Sequence, residues 1–272
     1  MPNPASDYEN PPVIEVVCGV NFAPLTAFKA VHIGMLWERF KGQFPQTEEH
    51  PPVAMVLEQL GIPALPAGSE FQFLESPPLP RIWFLDAAGN GIIQIQRDVF
   101  LHNWRKLRET DKYPRFKTVI SDYKKHFEVL TEFVAENHLG ELFPLQYELN
   151  YVNHISESDF WSNGKALSQL LPDFLWRESK ARFLPAYESA NWKTTFTLPE
   201  SNGRLHLTLQ TAFKKPENKP LLLLELKARG MAKDQSMDAV WKWFDLAHDW
   251  IVRGFDDITD NKAQQKLWGR KK

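Results

Sequence analysis

Asp98 and Glu148 are the two carboxylates of the chain best placed for acid–base work. Each falls in or beside a segment of strand-like alternation, and strands that pair bring such residues onto one face. Two close carboxylates raise the pKa of one of them and permit proton transfer. The plainer alternative is that both are neutralised by Arg97 or Lys227. His154 with Glu148, or His206 with Glu225, could meet across strands as metal ligands, but HExxH, CxxC and HxH are all absent. No GxSxG elbow is present. The single cysteine, Cys18, lies in an apolar strand-like run, where a thiol is inert. Neither GxxxxGK[ST] nor GxGxxG occurs. Gly89-Asn90-Gly91 reads as a hairpin turn, so no cofactor is expected. A basic and aromatic cluster runs from Asn103-Trp104-Arg105-Lys106-Leu107-Arg108 to Lys112-Tyr113-Pro114-Arg115-Phe116-Lys117. Cations interleaved with aromatics suit phosphates and bases, but Glu109 and Asp111 dilute the charge, and a solvated connector is the simpler reading.

Positioning these residues falls to a mixture of strands and helices. Val13–Val20 reads as a strand and Thr26–Phe44 as a helix, capped at Thr26 and stopped by Pro45. Residues 45–80 form a proline-rich connection with room for a short helix over Val53–Leu60. Arg81–Leu85 and Ile92–Trp104 read as the arms of a hairpin across Gly89-Asn90-Gly91. A helix over Pro114–His138 and a strand over Gln146–Ile155 follow. Ser156 with Asp159 opens helical turns to about Leu171. Trp192–Leu198, Arg204–Phe213 and Leu221–Arg229 read as three antiparallel strands, before a long helix over Ser236–Ile258. Helices alternate with hairpins rather than with single strands. The expected class is therefore α+β, a mostly antiparallel sheet with helices on one face. The chain divides into β-α-β-β-α-like halves over 1–155 and 156–272, joined as one continuous unit.

Strand alternation carries the strongest functional signal. Gln94, Gln96 and Asp98 alternate with Ile93, Ile95 and Arg97. Gln146, Glu148 and Asn150 alternate with Tyr147, Leu149 and Tyr151. Arg204, His206, Thr208 and Gln210 alternate with leucines, and Glu225, Lys227 and Arg229 with Leu224, Leu226 and Ala228. A period of two sends each set to one face. Such a face is either simply solvated or a recognition surface. Glutamine and asparagine favour recognition, because each amide carries donors and acceptors together.

Composition bounds the rest. The chain has 272 residues, 43% of them hydrophobic, with 32 Lys and Arg against 34 Asp and Glu and a formal net charge of −2. That balance is ordinary for a globular protein and does not favour a nucleic-acid coat. The 10 Trp and 19 Phe point to a thick core, with some aromatics free to line a pocket. The opening MPNPASDYENPP has no basic region followed by an apolar one, and the longest aliphatic run, Leu221–Leu224, is too short for a membrane span. One cysteine fits a reducing compartment. A cytoplasmic protein without membrane contact is expected.

Pro11-Pro12-Val13-Ile14-Glu15-Val16-Val17-Cys18 resembles the opening of a sporadically distributed, uncharacterised bacterial protein family of similar length. The likeness continues at Gln94-Ile95-Gln96-Arg97-Asp98, Asn103-Trp104-Arg105, Tyr113-Pro114 and Glu148-Leu149-Asn150-Tyr151-Val152-Asn153. It ends with the His248–Phe255 helix and Trp268-Gly269. The resemblance brings no catalytic residue with it, and its patchy distribution implies a mobile-element or defence setting. Its landmarks mark Asp98, Asn103, Trp104, Arg105, Glu148, Asn150 and Asn153 as a functional or architecture-critical network. With Gln94, Gln96, His206 and Glu225 they form the expected binding set. The first expectation is a non-enzymatic binding module that takes a small molecule or protein partner on its polar face or in a cleft between the halves. The alternatives are a hydrolase or transferase using Asp98 and Glu148, and a nucleic-acid accessory protein using the Arg105–Lys117 segment. A homodimer fits an open sheet with an unpaired edge.

Overall fold

Strand β1 (Val13–Phe22) sets the frame. Its alternation puts Val16, Cys18, Val20 and Phe22 into the core and leaves Glu15, Val17, Gly19 and Asn21 on the other face. β1 pairs antiparallel on both sides, with β5 (Val99–Arg105) and with β6 (Pro144–Ser156). The computed structural model describes residues 6–60, 79–158, 160–162, 167–174, 183–185, 187–231 and 236–271. Among them a nine-stranded antiparallel sheet runs in the order β2-β3-β4-β5-β1-β6-β9-β8-β7. Here β2 is Gln46–His50, β3 Arg81–Leu85, β4 Gly91–Gln96, β7 Asn191–Thr197, β8 Gly203–Lys214 and β9 Lys219–Gly230. The fold is α+β. On one side of β1 stand β5, β4 and β3; on the other side of β6 stand β9, β8 and β7. The strand order thus runs outward in the same way on either side of the β1–β6 pair, β1-β5-β4-β3 against β6-β9-β8-β7.

Helices α1 (Ala30–Phe40), α2 (Phe116–Glu136) and α4 (Met237–Ile258) cover one face of the sheet. Each carries an apolar stripe: Ile33, Leu36 and Phe40 on α1, Phe127, Leu130 and Val134 on α2, Phe244, Ile251 and Phe255 on α4. Short α3 (Leu167–Leu170) and α5 (Asn261–Trp268) close the core at one end, where Asp260 caps α5 and Gly269 ends it in the left-handed conformation.

Several elements depart from the sequence expectation. The first helix begins at Ala30 after an Lys29 cap rather than at Thr26, and Trp37 Nε1 donates to the Phe44 carbonyl to tie down its exit. Ile92–Trp104 is two strands, turned at Arg97-Asp98. Its strong β-propensity hides the turn. β2 has no apolar residue to announce it, because it is an exposed edge strand. Residues 53–60 are not helical. Main-chain groups of Val53, Val56 and Glu58 bond instead to side chains of the sheet. Asp159 and residues 163–166, part of the helical turns expected before Leu171, lie outside the described residues.

Candidate functional site: the polar sheet face and its strap

Strand register turns the polar alternation into a surface. One row across the sheet contains Asn103, Val17, Asn150, Lys227 and His206; the next contains Trp83, Gln94, Leu101, Gly19, Glu148, Arg229 and Arg204. A third contains Gln96, Val99, Asn21 and Gln146. Arg105, Glu15 and Glu225 share the same face. Two of the expected residues do not. Trp104 pairs with Val16 and packs on Tyr113, and Asn153 pairs with Leu224, so both stand on the helical face. Asn153 keeps step with Tyr147, Leu149 and Tyr151, so the period of two itself sends it to the helical face. Asp98 occupies the β4–β5 turn.

The face is polar but not open. Gln94, Gln96, Asn103, Gln146 and Asn150 are all buried. Residues 53–58 lie across part of it as a strap without regular structure. The Val53 N–H donates to Gln96 Oε1 at 2.8 Å, and Gln96 Nε2 donates to the Val53 carbonyl at 3.0 Å. Gln146 repeats the device: its Oε1 accepts from the Glu58 N–H at 2.7 Å and its Nε2 donates to the Val56 carbonyl at 2.9 Å. Gln96 and Gln146 stand three strands apart in one row, roughly 14 Å at the usual strand spacing. The three to five residues from Val53 to Val56 and Glu58 reach about 10–17 Å when extended. An extended chain crossing the strands fits that gap.

Glu58 anchors the far end. Its carboxylate accepts from His206 Nε2 at 2.6 Å and from Arg204 at 3.1 Å, and its side chain is 10% exposed. Burial alone would push this carboxyl up, but the His206 bond and the Arg204 charge hold it below its ordinary value. On the outer side of the strap, Val53, Val56, Leu57 and Leu60 remain exposed.

Under the strap lies a cavity of about 190 Å³ lined by Arg81, Asp98, Glu148, Lys227 and Arg229, with residues 53–56 as its roof. Asp98 and Glu148 thus share one site. Glu148 is bonded to Arg229 at 2.6 Å with Lys227 at 3.9 Å, and Asp98 accepts from Gln96 Nε2 at 2.7 Å. Glu148 serves here as a counter-ion. Elsewhere on the face Asn150 donates to Glu225, Asn103 to Glu15, and Gln94 to Asn103. Gln94 Oε1, Asn150 Oδ1, Arg81 Nε and Trp83 Nε1 are buried with no hydrogen-bond partner among the described residues.

A second, larger cavity of about 620 Å³ opens on the helical side, between α2, α4, β6 and the N-terminal segment. Tyr113, Tyr151 and His248 form a hydrogen-bonded chain along its wall, with steps of 2.8 Å and 3.0 Å. All three residues lie in stretches already singled out in the sequence, Tyr113-Pro114, Glu148–Asn153 and His248–Phe255.

Part of the basic segment is engaged by other parts of the chain. Arg105 donates to the Gly89 carbonyl, Arg115 pairs with Asp7, and Glu109 meets Lys106 and Lys214. Among the described residues no group of three or more His, Cys, Asp or Glu is placed to hold a metal, and no helix is long and apolar enough to cross a membrane. No protein-family model matches the chain, and neither does any curated protein or solved structure.

Proposed function

We propose that the protein is a non-enzymatic binding module that takes an extended, acidic polypeptide segment across the polar face of its sheet. One observation carries the reading: Gln96 and Gln146 each use both ends of the side-chain amide on the main chain of residues 53–58. Such contacts read backbone and not side chain, so they accept any extended segment, much as a sheet edge accepts an added strand. Selectivity comes from the Arg204–His206 pair, which holds the Glu58 carboxylate. The strap is then the resident occupant, and a partner segment competes with it.

A labelled peptide of residues 51–60 tests this by fluorescence anisotropy. Against the intact chain the tethered strap wins through its high effective concentration. In Glu58→Ala the strap loses a charge-assisted anchor worth about 1.5–3 kcal/mol, while the peptide keeps its own glutamate. The peptide is expected to bind this variant about tenfold or more tightly than the intact chain. Adding Gln96→Leu and Gln146→Leu should abolish that gain. A variant Glu58→Ala that binds no better than the intact chain contradicts the proposal.

A further inference from the structure

The helical-side cavity has the opposite character from the strapped face. Its walls are aromatic and aliphatic, supplied by Tyr8, Phe116, Ile120, Leu226, Ile251 and Phe255. Its volume falls within the range of sites for small organic ligands. Among these walls stand the uncharged polar side chains of Tyr113, Tyr151, Asn153 and His248, while the charged lining residues are Asp7, Arg115, Lys117, Asp245 and Asp249. Tyr151 OH links Tyr113 OH to His248 Nδ1, and the buried Asn153 donates to the Leu224 carbonyl at 3.1 Å. Phe116 stacks on the His248 ring at 4.0 Å and 10°. Burial pushes His248 down to about 4, so its ring is neutral near pH 7.

The charges at the cavity largely cancel. Arg115 meets Asp7 at 2.9 Å, and Lys271 meets the same Asp7 at 2.8 Å. Asp249 is held by Arg253 at 2.7 Å. Lys117 and Asp245, one of each sign, are exposed at the rim. An ion entering this space would leave its hydration shell without gaining a matched counter-charge. A flat aromatic molecule would keep stacking contacts with the ring walls and hydrogen bonds to the hydroxyls, imidazole and amide.

From these features we infer that the cavity between α2 and α4 binds a neutral, planar aromatic small molecule with a hydrogen-bonding edge, of the size of an indole or a purine base. The site is independent of the strap and lies on the opposite side of the sheet. Isothermal titration calorimetry of the full chain with indole is the test, with indole-3-acetate as the charged comparison. Indole is expected to bind saturably at one site, and indole-3-acetate at least tenfold more weakly. Tyr151→Phe keeps the ring and the core but removes the two hydroxyl bonds, and should weaken indole several-fold. Val252→Phe, which adds volume to the lining, should remove binding while circular dichroism and melting temperature report an intact fold. No saturable heat up to millimolar indole overturns the inference. So does equal binding by Val252→Phe, or a preference for the anion.

Discussion

At the scale of single residues, the polar face shows why a glutamine in a strand carries more information than a lysine. A lysine in that position would reach into water. Gln96 and Gln146 instead offer a donor and an acceptor a fixed distance apart, which matches a main-chain N–H and C=O. Gln146→Leu preserves most of the buried shape and deletes two bonds to the strap. It should cost about 1–3 kcal/mol, read by denaturant unfolding, and should speed hydrogen exchange at the Glu58 amide far more than at core amides. Unchanged exchange at Glu58 would mean the strap is held by something else. Cys18 offers a simpler check. It is fully buried in β1, and burial pushes its thiol well above the ordinary range. A thiol reagent should label it no faster than the chain opens; rapid native labelling would contradict the placement of β1 at the centre.

At the scale of elements, legibility in the sequence followed the strength of the apolar pattern. Val13–Phe22 and Met237–Ile258 are written in runs of apolar residues with an unmistakable period, and both lie where that period places them. Gln46–His50 is a strand because β3 pairs with it, not because its residues favour one. The 53–58 segment shows helical-looking spacing of Val53, Val56, Leu57 and Leu60, yet side chains over a hundred residues apart in sequence, Gln96 and Arg204, hold its extended course. Local pattern cannot report such a tertiary override. The same holds for the site: the glutamines were visible as a face, whereas their common ligand was not. Close backbone contact between β8 and β9 gives an element-scale prediction. A Cβ on Gly230 would lie 1.9 Å from the Asn202 carbonyl oxygen. Gly230→Ala should therefore destabilise by about 3 kcal/mol or more. Gly34→Ala, on the exposed side of α1 with open space around it, should stabilise by roughly 0.5–1 kcal/mol. Equal effects in denaturant unfolding would contradict the β8–β9 geometry.

At the scale of the whole molecule, one sheet separates two chemistries: an apolar face packed by helices, and a polar face crossed by the chain's own strap. The helical side holds three histidines in neutral form. Burial, with the nearby His126, lowers His102 to about 3; burial lowers His126 and His248 to about 4. Unfolding returns each to its ordinary value, so the unfolded chain binds more protons in acid. Their contribution to stability is complete above about pH 6.5 and is lost as pH falls through 6.5 toward 4. Near pH 5 the slope should approach about 4 kcal/mol per pH unit for three such groups, and a flat profile between pH 7 and 5 would contradict their burial. The polar side carries the account's main claim, that residues 53–58 stand in for a partner segment. The most direct measurement is hydrogen exchange of the Val53 and Glu58 amides in the intact chain, with and without a saturating excess of the 51–60 peptide. Displacement predicts protected amides in the free chain that exchange much faster once peptide is bound. Amides that stay protected while the peptide binds would place that peptide elsewhere and contradict the claim.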